Sequence, residues 1–156
     1  MMRIAICDDE EAQRALVEKY LREWSEIHSI ALEAVAFSNA EQFLFVWEED
    51  KLYDLLILDI EMGKISGMDL ARRIREENEE IPIIFITGYE SYMAQGYEVS
   101  AMQYLLKPMY KDKLFTEESR EKLYRDWIDN PPKLPRKNEI NVFLNRFNKK
   151  KRGKSI

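Results

Sequence analysis

Five short apolar runs, Ile4–Cys7, Leu32–Phe37, Leu55–Leu58, Ile83–Ile86 and Met102–Leu106, are separated by longer stretches of helical period. Runs of four to six residues suit strands buried on both faces, and their alternation with helices predicts a parallel sheet covered on each side. Leu16, Val17, Tyr20, Leu21 and Trp24 recur at helical spacing between the first two runs, so a first helix carries one buried stripe. Ser38, followed three residues later by Glu41, is expected to open a second helix as a capping box. Leu70, Ala71 and Ile74 mark a third helix, and Pro82 suits the first position of the next strand, where no ladder donor is needed. A fourth helix is expected near residues 90–99, with Gly96 inside it making it cheap to move. The fifth helix begins at Leu114 and Phe115, but its apolar phase breaks at Glu118 and Ser119 and resumes at Leu123. Thr116 is therefore expected to cap a fresh helical start.

Open sheets of this kind bind ligands at the carboxyl ends of their strands. The first run is followed by Asp8-Asp9, the third by Asp59-Ile60-Glu61, the fourth by Thr87-Gly88 and the fifth by Lys107-Pro108. Each has an ordinary explanation when taken alone. Asp8 and Asp9 would cap the first helix, Asp59 would serve a turn, Thr87 would end a strand, and Lys107 would be a solvated cation. Those explanations do not predict acids, a hydroxyl and an amine gathered at one edge of one sheet. Crowded carboxylates repel and call for a cation, and oxygen donors without His or Cys select a hard one such as Mg²⁺. With one carboxylate free to attack phosphorus, the set points to phosphoryl transfer onto the protein.

The blocks Cys7-Asp8-Asp9-Glu10, Leu58-Asp59-Ile60-Glu61-Met62, Ile86-Thr87-Gly88 and Tyr104-Leu105-Leu106-Lys107-Pro108 resemble, in order and spacing, the signature blocks of response-regulator receiver domains. The segment from Gly96 to Pro108 is most similar to receivers that precede a LytTR-type DNA-binding domain. The resemblance spans roughly residues 2–115 and implies a flavodoxin-like α/β fold, a doubly wound five-stranded parallel sheet of order 2-1-3-4-5 with helices on both faces. It further implies that Asp59 accepts a phosphoryl group from a sensor histidine kinase. Asp8 or Asp9, with Asp59 and the Glu61 backbone carbonyl, would hold Mg²⁺. Thr87 and Lys107 would bind the phosphate, and Thr87 and Tyr104 would form the switch. Gly63 stands where the family usually has Pro.

The resemblance ends near Phe115, and no segment of the size expected for a DNA-binding domain follows. The expectation is a receiver over residues 1–128 and a basic tail over 129–156, either flexible or a truncated linker. Charge supports the division. Residues 1–132 carry 15 basic and 28 acidic side chains, a net of −13, whereas residues 133–156 carry nine and one, a net of +8. Any DNA contact would then come through an output domain outside this chain, with homodimerisation possible. Phe143, Leu144 and Phe147 would form one apolar helical turn in the tail.

Other functions are disfavoured by what the sequence contains. No apolar run approaches the length needed to cross a bilayer, and the N-terminus has no signal-peptide pattern, so a cytoplasmic, membrane-free protein is expected. One Cys and one His, Cys7 and His28, cannot supply a structural zinc site; Cys7 is expected in the core, and His28 at a structural or surface position. No nucleotide-binding glycine motif occurs. An aspartate-nucleophile phosphatase of the haloacid dehalogenase type would want Asp-x-Asp after the first strand, where adjacent Asp8-Asp9 stand instead. A receiver-like module that is never phosphorylated would have no use for the complete set of acids, Thr and Lys. The chain is thus expected to act as a signalling domain that catalyses only its own phosphorylation and dephosphorylation.

Overall fold

A computed structural model describes residues 1–129. The expected tail and its Phe143–Phe147 turn lie outside the described residues, apart from Asp129 at the end of the last helix. The elements alternate throughout: β1 (Met2–Cys7), α1 (Glu11–His28), β2 (Leu32–Phe37), α2 (Ala40–Glu49), β3 (Leu55–Leu58), α3 (Gly67–Glu77), β4 (Ile83–Thr87), α4 (Met93–Glu98), β5 (Gln103–Leu106) and α5 (Glu117–Asp129). All four strand pairings are parallel, in the order β2-β1-β3-β4-β5. Among the described residues no helix is long and apolar enough to cross a membrane.

The period-two geometry of a strand explains why the apolar runs are unbroken. Met2, Ile4 and Ile6 of β1, with Leu55 and Ile57 of β3, face one core together with Val17 and Leu21 of α1 and Leu123 of α5. Ala5 and Cys7, with Leu56 and Leu58, face a second core beside Phe43 and Trp47 of α2 and Leu70, Ala71 and Ile74 of α3. The central strands β1, β3 and β4 therefore need apolar residues on both sides. At the other end of the sheet Arg3 is drawn inward. Its Nη1 donates to Asp50 Oδ2 at 3.1 Å, and its guanidinium lies 4.6 Å from the centre of the Tyr53 ring.

Several boundaries differ from those the sequence suggests. The second helix is capped by Asn39, whose side chain accepts from Gln42 N at 2.8 Å, while Gln42 Oε1 reaches back to the backbone N–H and hydroxyl of Ser38. The box is thus Asn39 with Gln42, not Ser38 with Glu41, because the chain turns helical one residue later than the Ser–Glu spacing implies. The fourth helix splits into a 3-10 turn at Glu90–Tyr92 and a short α4. It ends where Ser100 takes the left-handed conformation, φ 53°, and Ala101 N reaches Gly96 O at 3.0 Å. Thr116 does cap the fifth helix, its Oγ1 accepting from Ser119 N at 3.0 Å. Ser119 is buried, and these bonds let a polar residue occupy the position where the apolar stripe is interrupted.

Candidate phosphoacceptor site

From β1 the chain passes to β2 on one side and then crosses to β3 on the other, so the ends of β1 and β3 flank the point where the winding reverses. Open parallel sheets place their ligands at such a point, because the connections leave in opposite directions. Asp8 and Asp59 are the first residues beyond those two strands, and Asp59 N donates to Cys7 O at 2.8 Å, which brings the two strand ends level. On the next pair Lys107 N donates to Thr87 O at 2.8 Å and brings the lysine to the same edge. The Lys107–Pro108 peptide is cis.

Lys107 is the centre of the cluster. Its Nζ lies 3.1 Å from Asp8 Oδ2, 3.2 Å from Asp59 Oδ2 and 3.3 Å from Glu10 Oε1. The other Asp59 oxygen accepts from Ile60 N at 2.8 Å, so Oδ2 is the oxygen turned toward the ammonium. Asp8 Oδ1 accepts from Glu10 N at 2.9 Å, and the Asp8 carbonyl accepts from Arg14 Nη1 at 2.8 Å. The residue at the N-cap position of α1 is Glu10, with no side-chain capping bond, so helix capping does not account for the acidic pair.

Burial governs the electrostatics. Asp8 and Asp59 are buried, whereas Asp9 and Glu10 are exposed. Loss of solvent, and then the neighbouring Asp8 charge, push the Asp59 pKa up to about 6 against the opposing pull of Lys107. Asp8 is raised by burial as well. Burial works against the charge on Lys107, but Asp59 and Asp8 outweigh it and its pKa rises. The ammonium is therefore held firmly charged between two carboxylates that are reluctant to ionise together.

The acidic donor set fits a hard dication. One oxygen from each of Asp8, Asp9, Glu10 and Asp59 lies within 4.8 Å of the others. The adjacent Cys7 is buried and its thiol pKa is raised, so no thiolate competes. Oxygen-only donors with open solvent on one side match the preference of Mg²⁺ for carboxylates plus retained waters. The Glu61 side chain is exposed and lies outside this carboxylate group.

Thr87 is fully buried, and its Oγ1 accepts from Tyr89 N at 3.3 Å. The Tyr104 hydroxyl donates to the Tyr89 carbonyl, and its ring lies 6.0 Å from that of Phe85. Gly96 makes this arrangement possible. A Cβ there would stand 3.0 Å from Tyr104 Cδ2, so the glycine serves close packing of α4 on Tyr104 rather than looseness of the helix.

Three residues at the site were not singled out from the sequence. Glu10 is legible in principle, since it directly follows the acidic pair. Gly67 opens α3, where a Cβ would sit 1.8 Å from the Asp59 carbonyl oxygen and Gly67 N donates to Ile60 O at 2.7 Å. Only the Ser66-Gly67 helix start hints at it. Tyr89 carries no sequence signal, because its role arises from the fold of the loop after β4.

Comparison with known proteins agrees with this architecture. The family model of the response regulator receiver domain matches residues 4–117. The chain belongs to that family, whose members are the receiver domains of two-component signalling systems. Sensory transduction protein LytT of Oceanobacillus iheyensis is 34% identical over 114 residues, 72% of this chain and 44% of that protein. Transcriptional regulatory protein RprY of Bacteroides fragilis is 30% identical over 115 residues, 72% of this chain and 46% of that protein. The crystal structure of response regulator TrrA from Thermotoga maritima, in complex with Mg²⁺-BeF, is 34% identical with a TM-score of 0.65, covering 79% of this chain and 99% of that one. The chain spans about half the length of the curated relatives it matches.

Proposed function

We propose that the chain receives a phosphoryl group from a sensor histidine kinase on Asp59 and that the transfer resets the contacts of Thr87 and Tyr104. The observation that carries this reading is the Lys107 ammonium 3.2 Å from the free oxygen of a buried carboxylate at the sheet's switch point. In the transfer, an Asp59 oxygen bonds to phosphorus as the bond from phosphorus to the donor nitrogen breaks. The electron pair leaves with that nitrogen. Lys107 neutralises phosphoryl oxygens as they arrive, and Thr87, whose Oγ1 only accepts from Tyr89 N, keeps its proton free to donate to one of them.

Asp8, Asp9 and Asp59, with the Glu61 backbone carbonyl, would hold Mg²⁺. When bound, it offsets negative charge on the phosphoryl oxygens. The chain on this reading catalyses only its own phosphorylation and dephosphorylation. It works in the cytoplasm with its kinase, and any DNA contact is made by an output domain outside the chain. Homodimerisation would follow from the reset surface.

The test is intact mass after incubation with Mg²⁺ and acetyl phosphate. One phosphoryl group is expected on the wild type and none on Asp59→Asn. Equal labelling of the two proteins would refute the assignment, and continuous turnover of a small phosphate ester would favour a phosphatase instead.

A further inference from the structure

The break in the apolar stripe before α5 has a second consequence, on the side of the sheet that α1 and α5 cover. A 3-10 turn at Lys111–Lys113 follows β5, and Thr116 caps α5. Of the two residues between them, Leu114 is buried in the core, whereas Phe115 sets its ring 4.8 Å from that of Trp24 on α1. Trp24 also stands against His28, one turn further along α1, at 5.2 Å. A pocket of about 330 Å³ opens here, with Tyr20, Trp24 and Phe115 as aromatic walls and Ile27 beside them, 67% exposed. That volume lies in the range of small-molecule sites and far above an ordinary packing void.

The charged groups lining the pocket are not equally committed. Lys111 Nζ lies 2.9 Å from Glu23 Oε2. The Arg120 side chain is partly buried, yet among the described residues its guanidinium has no hydrogen bond or ion pair. Trp24 Nε1 is buried and likewise has no acceptor. Lys111 and Arg120 stand against one acid, Asp112, which leaves the lining with a net charge of +1. A single carboxylate matches that charge, and a planar guanidinium can meet both of its oxygens.

We propose that this pocket binds a small aromatic monocarboxylate, its ring against Trp24 and Phe115 and its carboxylate on Arg120, as an input to the chain separate from Asp59. Flat aromatic walls favour an aromatic ring over an aliphatic chain of equal size, through stacked or edge-on contact. A neutral ring would leave the guanidinium without a partner, and a cation would be repelled by Lys111 and Arg120.

The probe is phenylacetate, with phenylacetamide as its neutral isostere. Each is added to the isotope-labelled full chain while indole N–H and backbone amide NMR signals are followed, with Trp24→Phe assigning the Trp24 indole. Phenylacetate should shift the Trp24 indole and the Ile27, Phe115 and Arg120 amides together and saturably, with a Kd of about 1 mM for so small a ligand. Phenylacetamide on the wild type, and phenylacetate on Arg120→Gln, each should bind roughly tenfold more weakly, the loss of one charge-assisted pair. The amide comparison needs no variant, so it stands even where Arg120→Gln does not fold. Absence of a saturable Trp24 shift with phenylacetate would overturn the proposal, and so would equal affinity for the acid and the amide. Shifts of the same signals on raising the protein concentration alone would give the pocket to a second copy of the chain and overturn it as well.

Discussion

The Lys107 ammonium lies almost midway between the buried carboxylates of Asp8 and Asp59, at 3.1 and 3.2 Å. One cation thus serves two acids that would otherwise face each other with little solvent between them. Replacing it with a neutral side chain of similar length, Lys107→Met, leaves both acids without that partner. The metal-free protein should lose about 1–3 kcal/mol of stability. Mg²⁺ should recover part of the loss, since a dication at the same acids replaces the missing charge. Denaturant melts with and without Mg²⁺ check this.

The Asp59 carboxyl gives the protein a pH dependence of defined sign. In the unfolded chain it ionises near pH 4, but in the folded, metal-free protein it holds its proton up to about pH 6. Between these values the folded state binds more protons, so this group favours folding as pH falls and costs stability as pH rises through about 6. Asp59→Asn removes the cost. It should stabilise the metal-free protein on the order of 1–3 kcal/mol at pH 7.5 and have little effect at pH 4. An equal gain at both pH values would show that packing, not charge, is responsible.

Gly67 should tolerate no side chain. A Cβ at 1.8 Å from the Asp59 carbonyl oxygen meets backbone on a strand end, which cannot turn aside as a flexible side chain could. Gly67→Ala is expected to cost about 1–3 kcal/mol, typical of overpacking, and to slow labelling of Asp59 by moving it. Melting and intact-mass labelling of the same sample measure both effects.

Mg²⁺ affinity should depend on both acids after β1, for different structural costs. Asp9→Ala is expected to weaken binding by roughly tenfold and leave stability within about 0.5 kcal/mol, because Asp9 is exposed. Asp8→Asn should weaken binding at least as much. Mg²⁺ titrations that are unchanged for both variants would remove these residues from the metal site.

Beryllofluoride with Mg²⁺, as a phosphoryl mimic, should shift the backbone amides of Thr87, Tyr89, α4 and Tyr104. Thr87 would turn its hydroxyl to the mimic, and the strap from Tyr104 to the Tyr89 carbonyl lies on the same loop. NMR shifts confined to residues near Asp59 would rule out the switch and leave phosphoacceptance standing.

The strands were legible because β1, β3 and β4 are buried on both faces, so their runs stay apolar without interruption. The acids, Thr87 and Lys107 were legible for a related reason: polar chemistry directly after an apolar run lands at the strand's carboxyl end. Helix limits were less legible. Asn39 and Ser38 are both competent caps, and only the turn of the chain after Phe37 decides between them.

What the sequence determined by itself is therefore the parallel α/β class, the edge at which the chemistry gathers and the residues that carry it, since these depend on local period and strand ends. The tertiary structure alone decided which oxygen of Asp59 faces Lys107, that Glu10 joins the cluster, that Gly67 must be bare, and that Tyr89 joins Thr87 and Tyr104. The Lys107 and Tyr104 contacts join different loops and strand ends of the sheet. No local pattern encodes such contacts, because they are set by how the ends of β1, β3, β4 and β5 meet once the five strands have fixed their spacing.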